Sequence, residues 1–159
     1  AFNASVALSG QPSYAARMPD GSYGDTQIWI ETVTAFTGNP TFTITYTNQA
    51  GTPGRTATLA AGAALTPGRM MQVPLQVGDT GVQTITNVAC TVATAGTFNV
   101  LVMRPLWSGR CRTANDGDVH DLTKTGMPVV FADSALFLAV AADSTSTGIP
   151  ELEMVIANG

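Results

Sequence analysis

The segment TFTITYT at residues 41–47 constrains the fold of this chain more than any other segment does. Phe42, Ile44 and Tyr46 fall on one face of an extended strand, and threonines alternate with them on the other face. Because side chains alternate across a strand, this pattern predicts a half-buried β-strand with a hydroxyl-bearing outer face. The Gly- and Pro-containing stretch that follows predicts a turn, and residues 55–59 predict the returning strand of a hairpin.

Further short apolar segments, separated by turn signals, continue along the chain. Residues 27–36 carry apolar side chains on both faces, which indicates a central strand or one covered by a partner. Residues 82–92 and 97–106 predict a second hairpin. The apolar residues 135–142 fit a buried strand or a buried helix, and we favour the strand. Together these segments predict an all-β fold, either an antiparallel β-sandwich or a jelly-roll-like arrangement.

The two ends of the chain and the stretch before residue 128 give weaker signals. Residues 2–8 alternate loosely, as in a first edge strand, and residues 151–157 predict a last strand. Residues 116–125 predict one short helical turn, with Asp116 or Asp118 as its cap.

The chain length suits one domain preceded by an arm. The sequence has 159 residues, a size at which a hydrophobic core forms without metals or disulfides. Residues 1–25 are rich in Gly, Pro and Tyr and predict an extended N-terminal arm or loop that reaches a neighbouring subunit, whereas residues 26–159 predict a single β domain. The first residues lack the basic and apolar regions of a signal peptide, so we expect that a signal, or only an initiator Met, was removed.

The surface of this chain is unusually poor in charge. Charged residues make up 11% of the sequence and the formal net charge is -4. Such surfaces are typical of proteins that lie against other subunits, although a small secreted-type β domain with neutral faces fits equally well. The few basic residues form no stripe and no apolar run is long enough to cross a bilayer, so we expect neither nucleic-acid nor membrane binding.

Candidate chemistry is sparse. His120 lies between Asp118 and Asp121, where it could act as a general base or bind a metal, but no nucleophile motif accompanies it. We interpret it as a loop histidine that forms hydrogen bonds. A calcium-loop fragment around Asp116 lacks the distal Glu of an EF-hand. Cys90 and Cys111 are either two separate thiols or a disulfide. We therefore expect no cofactor, no metal and no enzymatic activity.

Exposed aromatic and basic side chains are the candidates for a contact surface. The aromatic side chains could stack on sugars, but packing in a core or an interface is the commoner role of such residues. Arginines clustered near residue 110 are the other candidates. The predicted interface residues are Tyr14, Tyr23, Trp29, Trp107, Arg110 and Arg112.

Four phrases of the sequence, taken in order, resemble β-rich virion proteins of tailed bacteriophages. They are YTNQAGTPGR at residues 46–55, VPLQVGDTGV at 73–82, VLVMRPL at 100–106 and DSALF at 133–137. The resemblance covers roughly residues 26–157 and carries over no catalytic residues, because the group has none that we can assign.

The resemblance implies a structural protein of the virion, and specifically a capsid decoration (head cement) protein. Its expected partners are the major capsid protein and further copies of itself, as a dimer or a trimer. It would lie on the capsid exterior after assembly in the host cytoplasm. The alternatives are a tail-fibre or receptor-binding β module that recognises a surface glycan, and a tail or connector component.

Overall fold

The computed structural model of the chain describes seven strands and one helical turn. It describes residues 5–9, 17–18, 20–62, 66–91, 95–110, 116–126, 128–131, 134–140, 152 and 154. The elements are β1 (Ser5–Ala7), β2 (Gln27–Thr34), β3 (Thr41–Asn48), β4 (Arg55–Ala60), β5 (Met70–Val73), β6 (Val82–Cys90), β7 (Thr97–Met103) and α1 (Leu122–Thr125).

The strands form two antiparallel sheets that pack against each other. One sheet has the order β1-β6-β3-β4 and the other has the order β5-β2-β7. Strands make up 41% of the described residues and helix 3%. The fold is therefore an all-β sandwich, which confirms the prediction of fold class.

The opening hairpin forms as its sequence pattern predicts. β3 pairs with β4, with Phe42 opposite Leu59 and Tyr46 opposite Arg55. Residues in β3 alternate strictly between half-buried threonines and a buried inner face. Phe42, Ile44 and Tyr46 belong to the core, where they meet Ile28 and Ile30 of β2, Val82 of β6 and other buried side chains.

The prediction that residues 82–92 and 97–106 form a hairpin is wrong. β6 pairs with β3 and β1, whereas β7 pairs with β2 in the opposite sheet. The intervening loop therefore crosses the sandwich. The Thr97 amide at the start of β7 donates to Thr34 Oγ1 at 2.8 Å, and the Ala95 amide just before this strand donates to Thr37 Oγ1 at 2.9 Å. Two strands joined by a turn have the same sequence pattern whether they pair as a hairpin or belong to opposite sheets. In both cases each strand keeps an apolar face toward the same core.

The aromatic side chains near this crossing hold the two sheets together. Phe42 of β3 and Phe98 of β7 lie with their ring centroids 4.7 Å apart in an edge-to-face arrangement. Phe36 packs against both rings. The inner face of β7 therefore packs against the other sheet, while its backbone pairs with β2 in its own sheet.

The prediction of a buried strand in residues 135–142 is wrong over its described part. Residues 135–140 are in neither a strand nor a helix, and all are exposed. Leu152 and Met154, from the predicted last strand, are also exposed and outside any strand, while the other residues of 151–157 lie outside the described set. An apolar run is buried only when the fold presents a surface to cover it, and that requirement is not visible in the run itself.

The helical turn forms where it is predicted but with a different cap. α1 covers Leu122–Thr125, and Asp121 is its N-cap, with Asp121 Oδ1 accepting from the Lys124 amide at 2.8 Å. The predicted caps Asp116 and Asp118 are wrong. The side chain of Asp118 instead contacts Lys124 and His120, so it is not available to the helix.

The described parts of residues 1–25 lie against the sandwich. β1 pairs with β6 at the edge of the larger sheet, as the loose alternation of residues 2–8 predicts. Gly24 forms a bridge with Gly81, and the Asp20 carboxylate forms an ion pair with Arg104 at 3.2 Å. The prediction that the arm reaches a neighbouring subunit stays a prediction.

Candidate interface surface

A buried carboxylate links the end of the opening hairpin to the turn before β6. The Asp79 side chain is only 2% exposed and accepts three side-chain hydrogen bonds. Tyr46 Oη donates to it at 2.7 Å, Asn48 Nδ2 at 2.8 Å and Arg55 Nε at 2.8 Å. The Tyr46 hydroxyl in turn accepts from the backbone amide of Gln76 at 2.9 Å. These bonds satisfy both carboxylate oxygens without solvent.

The hydrogen bonds of this cluster stabilise the ionised form of Asp79. The hydrogen bond from Arg55 is the main cause that holds the pKa of Asp79 down at about 2, helped by Tyr46 and Asn48 and opposed by burial. Burial, followed by the hydrogen bond to Asp79, raises the pKa of Tyr46. These hydrogen bonds hold the Asp79 turn against the β3–β4 hairpin.

The lone histidine lies in a second cluster, which follows β7. The His120 ring packs on Trp107 with the ring centroids 5.1 Å apart, and His120 Nε2 lies 3.0 Å from Asp118 Oδ2. This contact has ion-pair distance but not the alignment of a hydrogen bond. Lys124 Nζ donates to the other Asp118 oxygen at 2.9 Å. The Arg110 amide donates to Asp118 Oδ2 at 3.3 Å.

The carboxylate in this second cluster is already engaged. Hydrogen bonding from Lys124 is the largest cause that lowers the pKa of Asp118 to about 2, and His120 and the Arg110 amide add to it. A carboxylate so stabilised as an anion is a poor proton acceptor at neutral pH. No group of three or more His, Cys, Asp or Glu side chains within the described ranges is arranged to hold a metal ion.

The structure separates the described members of the predicted interface residues into three places. Trp107 and Arg110 come together around Asp118 and His120. Trp29 lies half-buried on β2, where its Nε1 donates to Gln27 Oε1 at 3.0 Å. The Tyr23 carbonyl accepts from the Thr26 hydroxyl at 2.7 Å, close to the Gly24–Gly81 bridge.

Three residues named in the sequence analysis cannot be placed. Tyr14, Arg112 and Cys111 lie outside the described residues. The proposed pairing of Cys111 with Cys90 therefore stays a prediction, and Cys90 itself is buried at the end of β6.

One feature that is open to a partner is the run SALFLAV at residues 134–140, here named the apolar segment. All seven of its residues are exposed, and it contains no charged residue. Phe137 is 56% exposed and Val140 52%, and Leu136 and Leu138 are exposed to a similar degree. An uninterrupted run of exposed large apolar side chains marks an interaction site more often than a bare surface.

The sequence analysis did not identify the Asp79 cluster, because the segment GDTG at residues 78–81 indicates only a tight turn. The Asp79 amide does close a turn onto the Gln76 carbonyl at 2.9 Å, but its carboxylate serves the neighbouring hairpin. The available signal was the group Tyr46, Asn48 and Arg55, three polar side chains next to the turn of one hairpin. Such a group suggests a shared acceptor, although not which one.

Comparison with known proteins assigns no relative to this chain. No protein-family model, curated protein or solved structure matches it. Among the helices of the described residues, none has the length and apolar character needed to cross a membrane.

Proposed function

We propose that this protein is a non-enzymatic structural component of a tailed-bacteriophage virion, which binds the outside of the capsid and stabilises it. The observation that carries this proposal is the exposed, uncharged apolar segment on a β-sandwich. The phrases at residues 46–55, 73–82, 100–106 and 133–137 supply the virion context by resemblance.

The exposed apolar segment supports the proposal that this protein is one subunit of an assembly. Large exposed apolar side chains cost solubility in a separate monomer, and neighbouring subunits remove that cost by covering them. The low charge of the chain, 11% of its residues, fits the same role, since charged residues are depleted in the buried part of an interface. A repeating shell also multiplies a weak contact over many copies.

The cluster around His120 supports a structural role over catalysis. The Asp118 carboxylate contacts Lys124, His120 and the Arg110 amide at once, so its charge is used in holding a loop. The His120→Ala variant is expected to keep its fold and its assembly, with a change in the free energy of unfolding within about 1 kcal/mol. Thermal unfolding and sedimentation measure this. Intact fold and assembly together with loss of a measurable hydrolytic activity would favour an enzyme instead.

The partners under this proposal are the major capsid protein and further copies of the chain. The protein would join the capsid exterior during assembly in the host cytoplasm. A tail-fibre or glycan-binding module and a tail or connector component share the β architecture, and they differ from a decoration protein in copy number.

The test is the number of copies of this protein per purified virion, relative to the major capsid protein, by quantitative mass spectrometry. A ratio near one, or a simple fraction such as one third, is expected for a protein that decorates an icosahedral shell. A handful of copies would place the protein in the tail or a fibre. Its absence from virions would overturn the proposal.

A further inference from the structure

The chain contains two Asp-Gly dipeptides, and the structure holds them in different ways. They are Asp20–Gly21 and Asp116–Gly117, and all four residues are exposed. An Asp carboxyl group can react with the backbone nitrogen of the residue that follows it, and Gly hinders this reaction least because it has no Cβ. The reacting atoms are the same at both sites, so the contacts that the fold gives each dipeptide decide which one reacts.

The Asp116 side chain is folded back onto the backbone that follows it. The Gly117 amide donates to Asp116 Oδ1 at 3.0 Å, so its nitrogen lies beside the carboxyl group. Rotation about the Cβ–Cγ bond then presents the carboxyl carbon to that nitrogen, and two groups held this close react without the entropic cost of an encounter. A Cβ added at Gly117 would meet nothing within 4 Å, so the neighbouring atoms leave space for a ring to close.

Both reacting groups of the other dipeptide are engaged elsewhere. The Ser22 amide donates to Asp20 Oδ1 at 3.0 Å, and Arg104 donates to Asp20 Oδ2 at 3.2 Å. The Gly21 amide donates to the Met18 carbonyl at 2.9 Å, away from the carboxylate. Hydrogen bonding, first from Ser22 and then from Arg104, lowers the pKa of Asp20 and so disfavours the neutral carboxyl group that the reaction uses. Ring closure at this site therefore requires these hydrogen bonds to break.

We propose that Asp116–Gly117 is a site of spontaneous modification, where a succinimide ring forms and then opens to isoaspartate. The Gly117 nitrogen bonds to Asp116 Cγ, the bond from Cγ to the hydroxyl oxygen of the neutral carboxyl group breaks, and this hydroxyl leaves with the amide proton as water. Water then adds to one of the two ring carbonyl carbons and breaks its bond to the Gly117 nitrogen. Addition at Cγ restores aspartate, and addition at the main-chain carbonyl carbon gives isoaspartate, so water is the only other reactant.

The product changes the backbone of the loop that carries the cluster around His120. Isoaspartate at position 116 adds one methylene to the main chain and leaves the former main-chain carboxyl group as a side group, two residues before Asp118. The Asp118 carboxylate contacts His120, Lys124 and the Arg110 amide, so the modification lies in the same loop as these contacts. The inference goes beyond the proposed function and does not depend on it.

The test is peptide mapping of the full chain after prolonged storage, with mass-spectrometric fragmentation that distinguishes isoaspartate from aspartate at each position. One sample is stored folded in buffer and a second is stored unfolded in guanidinium chloride, which removes the contacts of both dipeptides. In the folded chain, isoaspartate is expected to form roughly tenfold faster at position 116 than at position 20, whereas in the unfolded chain the two rates agree within about threefold. Gly117→Ala is expected to slow the reaction at position 116 about fivefold or more and to leave position 20 unchanged.

Three other outcomes overturn the inference. A folded chain that forms no isoaspartate at position 116, or forms it as fast at position 20, would show that the contacts of the two dipeptides do not select the site. A tenfold preference that persists in guanidinium chloride would assign the selection to the neighbouring sequence and not to the fold. Isoaspartate that forms at the same rate in Gly117→Ala would mean that the Gly117 nitrogen is not positioned for the reaction by this loop.

Discussion

Two buried threonines differ in whether their hydroxyl has a hydrogen-bond partner, and this difference decides how each hydroxyl affects the stability of the fold. Thr26 Oγ1 accepts from the Val82 amide at 2.6 Å and donates to the Tyr23 carbonyl at 2.7 Å. Thr32 is fully buried, and its hydroxyl has no hydrogen-bond partner among the described residues. A buried hydroxyl is favourable only when it is bonded, so the same residue type stabilises the fold at one position and destabilises it at the other.

The pair of variants Thr32→Val and Thr26→Val tests this difference. Thr32→Val keeps the shape of the side chain and removes an unsatisfied hydroxyl, so the free energy of unfolding is expected to rise by about 1 kcal/mol. Thr26→Val leaves the Val82 amide unsatisfied in the core, and a loss of about 2 kcal/mol is expected. Urea unfolding at neutral pH measures both. A loss of stability in Thr32→Val would show that its hydroxyl has a partner.

Asp79 makes the stability of the sandwich depend on pH in acid. Its pKa is lowered to about 2 in the folded state, chiefly by Arg55, from an ordinary value of 3.8. The folded state therefore binds the proton less tightly than the unfolded state, so this contribution is complete above about pH 4 and is lost as the pH falls toward 2. Asp118 and Asp20, whose pKa values are also lowered, act in the same direction.

We expect Asp79→Asn to flatten this acid transition and to lower stability at neutral pH by about 2 kcal/mol, because Tyr46 and Arg55 lose a charged acceptor. Urea unfolding from pH 2 to pH 7 measures both effects. Asp25→Asn is the control, because Asp25 is exposed at a positive φ of 66°, a conformation that Asn tolerates. An acid transition as steep as in the wild type would show that Asp79 does not carry the pH dependence.

At the scale of elements, the backbone contact between the residues just before β2 and those just before β6 requires a glycine. Gly81 forms a bridge with Gly24. A Cβ at Gly81 would overlap the Tyr23 carbonyl and would lie 2.9 Å from Thr26 Oγ1. Because backbone atoms form this obstacle, no side-chain rotation relieves it.

Gly81→Ala is therefore expected to lower the free energy of unfolding by roughly 2 kcal/mol or more, since the backbone must shift to admit the methyl group. Gly62→Ala is the matched control, because a Cβ at Gly62 meets nothing within 4 Å. Thermal unfolding of the two variants measures the difference. Equal melting temperatures would mean that the backbone at the Gly24–Gly81 bridge shifts with little loss of stability.

At the scale of the whole molecule, the described contacts divide the N-terminal region in two. β1 is a short edge strand with exposed side chains, so few of its contacts stabilise the core. Asp20 and Gly24 instead connect to Arg104 and Gly81 of the sandwich. Residues 20 and 24 are therefore connected to the sandwich, and the prediction of an arm over residues 1–25 stays a prediction.

Removing residues 1–19 is expected to leave a cooperatively folding sandwich that has lost roughly 1–2 kcal/mol, because the main described contacts that are removed are those of β1 with β6 and of Leu8 with the core. Removing residues 1–25 also breaks the Gly24–Gly81 bridge and is expected to cost more. Urea unfolding compares the two truncations, and capsid binding of the shorter truncation tests whether the arm reaches a neighbour. Unchanged binding would exclude that role.

The sequence by itself determined the local pattern of this protein. Alternation in residues 41–47 and turn signals predicted strands, the opening hairpin, the edge position of β1 and the sandwich class. These features depend on neighbours within a few positions along the chain, so they can be read from the printed residues.

Only the tertiary structure decided which distant segments meet. It assigned β6 and β7 to opposite sheets, brought Asp79 to Tyr46, Asn48 and Arg55, set Asp118 against His120 and Lys124, and left the apolar segment exposed. The physical reason is that burial and hydrogen bonding depend on surfaces contributed by remote parts of the chain. An apolar run or a turn carboxylate is compatible with several such surfaces, and the packed fold selects one of them.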